Sequence, residues 1–113
     1  MKEAPLFIRT YDLHGWLLDR LGGGGEEKHR VLRDTVLDHS RGLLAAVSLA
    51  VSRFEPGERL IEADEEATLL RVHLRLAAEK SLLDDRQLMH ATEALRDIGR
   101  QIGGWRKRLE EVR

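Results

Sequence analysis

The chain has 113 residues, of which 42% are apolar, 35% charged and only 4% aromatic, so one domain with an aliphatic core is expected. Nineteen basic and twenty acidic side chains leave a net charge of -1, which argues against a surface that grips nucleic acid over its whole extent. The absence of cysteine excludes disulfides and thiolate chemistry, and no apolar run approaches the roughly 18 residues of a membrane span.

In chain order, Met1-Lys2-Glu3-Ala4-Pro5 lacks the apolar stretch of a secretory signal, and a soluble, cytoplasmic protein is the expectation. Residues 1–9 read as a short arm, extended over Leu6 to Thr10 after Pro5. Thr10 is expected to cap a first helix from Tyr11 to Leu21, with Leu13, Trp16, Leu17 and Leu21 at helical spacing. Gly22 to Gly25 break it. They lack the preceding strand and the Gly-Lys-Ser/Thr ending of a phosphate loop, so they read as a flexible tether.

A second helix is expected from Glu26 to Phe54. Its seam is Leu32, Val36, His39, Leu43, Ala46, Val47, Ala50 and Phe54. Pro56-Gly57 reads as a turn. The third helix, Glu58 to Ser81, carries a seam of Leu60, Ala63, Ala67, Leu70, Leu74, Ala77 and Ser81. A second stripe, Leu69, Val72 and Leu76, widens its apolar face beyond what one bundle needs, as oligomerisation would require. Asp84 or Asp85 is expected to cap a fourth helix with Leu88, Thr92, Leu95, Ile98, Ile102, Trp105 and Leu109 as its seam. No segment alternates like a strand. The expectation is an all-α, antiparallel four-helix bundle in a single domain spanning residues 1–113.

The segment Ile98-Gly99-Arg100-Gln101-Ile102-Gly103-Gly104-Trp105 stands out. Each interior Gly costs a helix about 1 kcal/mol relative to Ala. One reading ends the helix at Gly103-Gly104 and makes Trp105 a core plug. The other continues it through Arg106-Lys107-Arg108-Leu109-Glu110-Glu111, all good helix formers. Gly99 and Gly103 then share one bare face, and Gly99, Gly103, Gly104 and Trp105 become a packing or oligomer contact.

Catalytic patterns are missing. The five histidines, His14, His29, His39, His73 and His90, form no HExxH motif. Glu26-x-x-His29 matches half of a di-iron bundle site, but no second copy exists, so no metal or cofactor is expected. His39 reads as a satisfied seam residue. Ser40, Ser48, Ser52 and Ser81 lack the context of a nucleophile elbow. The chain is expected not to be an enzyme.

Charge carries more information. Of the 19 basic residues only Lys2, Lys28, Lys80 and Lys107 are lysine, and the other 15 are arginine, the residue suited to bidentate phosphate and carboxylate contacts. Glu58 to Glu66 holds five acids and one arginine, whereas Arg96 to Arg113 holds six bases and three acids. One reading pairs the acidic start of the third helix with the basic end of the fourth. The other assigns Arg71, Arg75, Arg96, Arg100, Arg106, Lys107 and Arg108 to a surface for nucleic acid or a protein partner.

Three segments carry a resemblance: Thr10-Tyr11-Asp12-Leu13-x-x-Trp16, Leu70-Arg71-x-x-Leu74-Arg75-Leu76-Ala77, and Ile98-Gly99-Arg100-x-Ile102-Gly103-Gly104-Trp105. Together, from about Ile8 to Lys107, they resemble the Avd proteins, accessory variability determinants of diversity-generating retroelements. The last segment is the most specific. The resemblance implies a four-helix protomer in a homopentameric barrel, with the retroelement's reverse transcriptase as partner. It also implies binding of template RNA and cDNA through basic surface, in support of error-prone cDNA synthesis and without catalysis. Arg71 and Arg75 match the family's Leu-Arg-x-x-Leu-Arg positions, while Arg100 and Trp105-Arg106-Lys107 match its C-terminal motif. The chain departs in being nearly neutral where well-known members are strongly basic, and in its glycine run after the first helix. Its neutrality keeps a second reading open, a stand-alone structural oligomer of related four-helix proteins that does not bind nucleic acid.

Overall fold

The computed structural model describes residues 3–112, among which helices and their turns are the only regular elements. Helix α1 spans Ala4–Leu21. A 3-10 turn, Glu27–His29, leads into α2, Arg30–Val51. Helix α3 spans Pro56–Glu79 and α4 spans Asp85–Glu111. Each helix packs closely on two others, α1 on α2 and α4, α3 on α2 and α4, which leaves α1–α3 and α2–α4 as the diagonal pairs. The array measures 49 × 22 × 20 Å, the long axis being set by α4, whose 27 residues reach about 40 Å at 1.5 Å per residue.

Of the expected N-terminal arm, residues 4–9 are helical instead, while residues 1 and 2 lie outside the described residues. Pro5 sits in the first turn of α1, where its missing N–H would have had no partner anyway. Thr10 is not a cap. It is 1% exposed, and its hydroxyl donates to the Leu6 carbonyl at 2.8 Å, which lets a polar residue lie within the buried face. Leu6, Thr10, Leu13, Leu17 and Leu21, in steps of four and three, form that face. Burying Leu6 favours extending the helix through the segment read as an arm.

The glycine run is held at its far end. Gly24 has φ +89, a conformation that favours glycine. The Arg33 guanidinium, almost wholly buried, donates to the Glu26 carbonyl at 2.8 Å, and a Cβ on Gly25 would lie 3.0 Å from it. Arg33 therefore clamps the end of the tether onto α2 and delays that helix to Arg30.

Helix α2 also ends three residues earlier than expected. Phe54 N–H closes on the Leu49 carbonyl and Arg53 N–H on that of Ala50, both at 2.9 Å, with Arg53 left-handed at φ 66. This is a Schellman ending with arginine where glycine is usual. Phe54, expected on the seam, is 54% exposed. The turn lies before Pro56, not at Pro56-Gly57: proline disfavours a right-handed helical residue ahead of it, Glu55 is left-handed at φ 48, and Pro56 opens α3. The end of α3 repeats the device. Leu82 N–H meets the Ala77 carbonyl at 2.8 Å and Ser81 is left-handed at φ 64, so Ser81 is a terminator and leaves the seam.

The other seams hold. Leu60, Ala63, Ala67, Leu70, Leu74 and Ala77 of α3 are buried, as are Val36, Leu43, Ala46, Val47 and Ala50 of α2. Asp84 is the cap of α4: its carboxylate accepts from Gln87 N–H at 2.7 Å and Gln87 Oε1 accepts from Asp84 N–H at 2.9 Å. Helix α4 runs unbroken through its three glycines, yet Trp105 is a core plug, 2% exposed beside Ile98 and Ile102. The helix thus continues as the second reading has it, and Trp105 fills the core as the first has it.

Candidate binding surface

Seven basic residues were expected to share a surface, and the fold divides them. On α3, Arg71 is half-buried and Arg75 exposed; Arg75 faces Glu79 and, across the interhelical groove, Asp85 and Leu88 of α4. On α4, Arg96 is exposed beside Glu93 and Met89. Arg106 turns toward α3 and meets Asp64 at 2.7 Å. This is the expected pairing of the acidic start of α3 with the basic end of α4. With both side chains about two-fifths exposed it stabilises by no more than about 1 kcal/mol. Arg108 turns the other way, toward α1, its Nη1 3.7 Å from where a Cβ on Gly104 would stand. Lys107 is exposed between them.

Arg100 is exposed but engaged. It donates to Asp97, which also receives Gln101 Nε2 at 3.0 Å and faces Arg9 Nε of α1 at 3.5 Å. The Arg100 hydrogen bond holds the Asp97 carboxyl below the usual carboxylate range. Burial opposes that shift, while the Gln101 amide and the charges of Arg100 and Arg9 add to it.

The bare face of α4 is open within the protomer. No atom outside the helix's own backbone lies within 4 Å of a Cβ added to Gly99 or Gly103. Among the described residues, no helix takes advantage of the missing side chains. On α3 the second apolar stripe is exposed as well: Leu69, Val72 and Leu76, with Ile61 a few turns earlier. Helix α1 presents Ile8, Tyr11 and Leu18 in the same way, at spacings of three and seven.

Several polar contacts have no simple sequence signal. Glu3, just ahead of α1, receives both Arg53 nitrogens at 3.3 and 3.4 Å, and the Arg53 guanidinium lies 5.6 Å from the Trp105 ring centre. Arg20 stacks on Trp16 at 4.2 Å, and the His90 ring lies 4.6 Å from Trp16. His14 Nδ1 is 2.5 Å from the Ser40 hydroxyl; burial first, then the charge of Arg41, lowers its pKa. His39 is a satisfied residue, as expected, its Nδ1 3.1 Å from Glu66. Gly42 makes room there, since a Cβ on it would stand 2.6 Å from the Glu66 carboxylate. The His14–Ser40, His39–Glu66 and Glu3–Arg53 pairs link residues 26 to 50 positions apart, so helical periodicity could not reveal them.

Four helices around an aliphatic core, with arginines spread over the outward faces and two exposed apolar stripes, define an all-α four-helix protein. No helix among the described residues is long and apolar enough to cross a membrane. The bAvd-like family model matches residues 10–109, nearly the whole chain, and the protein belongs to that family. Comparison with curated proteins gives no match, and comparison with solved structures gives none.

Proposed function

We propose that this protein is a non-catalytic accessory factor of a diversity-generating retroelement. In this reading the chain is an antiparallel four-helix protomer of a cytoplasmic homopentameric ring. The ring binds the element's reverse transcriptase and its template RNA or cDNA and supports mutagenic reverse transcription. The match to the bAvd-like family over residues 10–109 carries the reading, since it spans Arg71, Arg75, Arg100 and the Gly103-Gly104-Trp105 motif.

Assembly is supported by the two apolar stripes. Helices α1 and α3 are diagonal in the array, so their outward faces look in different directions. A patch on one face that meets a different patch on the next copy makes a heterologous contact, which closes into a ring when the rotation allows. Ile8, Tyr11 and Leu18 against Ile61, Leu69, Val72 and Leu76 supply such a pair. Gly99 and Gly103 leave room for a further close approach on α4.

A second reading keeps the oligomer and drops the nucleic acid. It is favoured by the net charge of -1 and by the internal pairing of Arg106, Arg100, Arg53 and Arg59 with carboxylates. Light scattering combined with a filter-binding salt series on single-stranded RNA decides between them. A pentamer whose RNA affinity falls steeply with salt, and which co-purifies with the reverse transcriptase, supports the accessory factor. A pentamer that ignores both leaves the structural oligomer, and a monomer that ignores both removes the first reading altogether.

A further inference from the structure

The start of α1 and the last turns of α4 enclose a notch walled by Glu3, Leu6, Arg100, Gly104, Trp105 and Arg108. Arg100, Gly104 and Arg108 follow one another at i, i+4 and i+8, so glycine leaves a gap between two guanidinium groups on one helix face. Arg53 joins from the α2–α3 turn, over the Trp105 ring. Arg100, which also donates to Asp97, and Arg108 thus line an apolar wall with Arg53 over its Trp105, and the acid within the notch is Glu3, 9% exposed at its side chain. Its carboxylate faces the Arg53 fork oxygen to nitrogen, at 3.3 and 3.4 Å. Charge-assisted contacts of this type usually close to about 2.7–2.9 Å, so the fork holds its anion loosely.

We propose that this notch is a seat for one phosphate group of a nucleic-acid strand, and that Glu3 is the chain's own competitor for it. The inference rests on the nucleic-acid reading given above and names where the strand is held and what opposes it. A carboxylate between arginines at an apolar wall is the internal counterpart of a phosphate oxyanion. A backbone phosphodiester offers two anionic oxygens, as the carboxylate does, and an arginine fork grips either of them bidentately. Gly104 is the floor: a methyl there meets Arg108 at an ordinary 3.7 Å, but a larger side chain fills the gap. Exposed Arg96 and Lys107 on α4 are available to the phosphates on either side. With Asp97 counted against Arg100, the notch carries a surplus of one positive charge with Glu3 in place and of two with Glu3 displaced. Binding is therefore set by the position of the N-terminal residues as well as by the arginines.

The test follows the anisotropy of a fluorescein-labelled 20-nucleotide single-stranded RNA bound to the full chain across a KCl series. Inorganic phosphate and acetate are titrated in parallel while the Trp105 indole N–H resonance is observed. Arg108→Ala and Gly104→Leu are expected to weaken RNA binding three- to tenfold, and Arg108→Ala to reduce the salt slope by about 0.7. Glu3→Gln is expected to tighten RNA binding by a similar factor and to let phosphate, but not acetate, shift the Trp105 resonance at lower concentration. Glu27→Gln, the same change of charge on an exposed residue at the glycine loop, is expected to change affinity less than twofold. RNA binding that persists with Glu3→Gln equal to Glu27→Gln, or with the salt slope of Arg108→Ala unchanged, overturns the seat and spares the nucleic-acid reading. Loss of RNA binding in every variant, with phosphate still shifting Trp105, overturns that reading and spares the seat. Acetate as effective as phosphate overturns phosphate as the ligand. Circular dichroism of each variant, and Gly104→Ala as the expected neutral control, separate these effects from misfolding.

Discussion

Helices α3 and α4 lie side by side and bury the same kind of seam, yet their outward faces differ. Helix α3 turns Ile61, Leu69, Val72 and Leu76 to solvent, an apolar row with no partner inside the protomer. Helix α4 turns out Arg96, Arg100 and Lys107 with the bare backbone of Gly99 and Gly103 between them. A buried seam fixes only one side of a helix, leaving the other free to become a sticky face or a charged one. The near-neutral total charge thus conceals two unlike faces on neighbouring helices, and in the proposed reading the first would meet a second copy and the second an anionic ligand.

The shared seam is the place to break both faces together. Ile98→Ala removes a fully buried side chain beside Trp105 and is expected to cost about 3 kcal/mol, read as a lower denaturant midpoint with an unchanged slope. Val72→Asp separates the faces. The residue is over half exposed, so the protomer should keep its helical signal while light scattering falls to the monomer mass. A ring that survives the charge would move the assembly contact off α3. Gly103→Leu sharpens the same contrast on α4. Nothing inside the protomer meets the new side chain and its helix propensity is higher, so protomer stability should rise by up to about 1 kcal/mol while assembly weakens. Stability and assembly rising together would mean that α4 faces water in the oligomer. Asp84→Ala removes the cap of α4 and is expected to cost about 1 kcal/mol, with no effect on assembly.

The smallest effect is that of pH on α1. His14 has its pKa lowered by burial and by Arg41, so the folded state prefers the neutral ring while the unfolded chain accepts a proton near pH 6.5. Its contribution is whole above that value and is lost as pH falls through the folded pKa. The melting temperature of the native chain should therefore drop further between pH 7.5 and pH 5.5 than that of His14→Gln. Equal drops would place the pH sensitivity elsewhere.

Helix number, the α3 seam, the α4 cap and the continuous α4 helix were all legible in the sequence, because each depends on spacing within a few residues. The same is true of the family, carried by Gly103-Gly104-Trp105 and the paired arginines. The limits of α1 and α2 were not legible. Thr10 and Phe54 fit the pattern equally well as cap and seam, and only burial of Leu6 and the turn forced before Pro56 assigned them otherwise.

By itself, then, the sequence determined which residues face inward along each helix, since a period of 3.6 is a property of the local chain. The tertiary structure alone decided where each arginine goes. Arg106 and Arg108 are two residues apart, and one turns to Asp64 while the other folds over Gly104 toward Glu3. Arg53 meets a carboxylate 50 positions away. Ion pairs and notches depend on which helices become neighbours and how the turns between them close, and those choices follow from packing over the whole molecule.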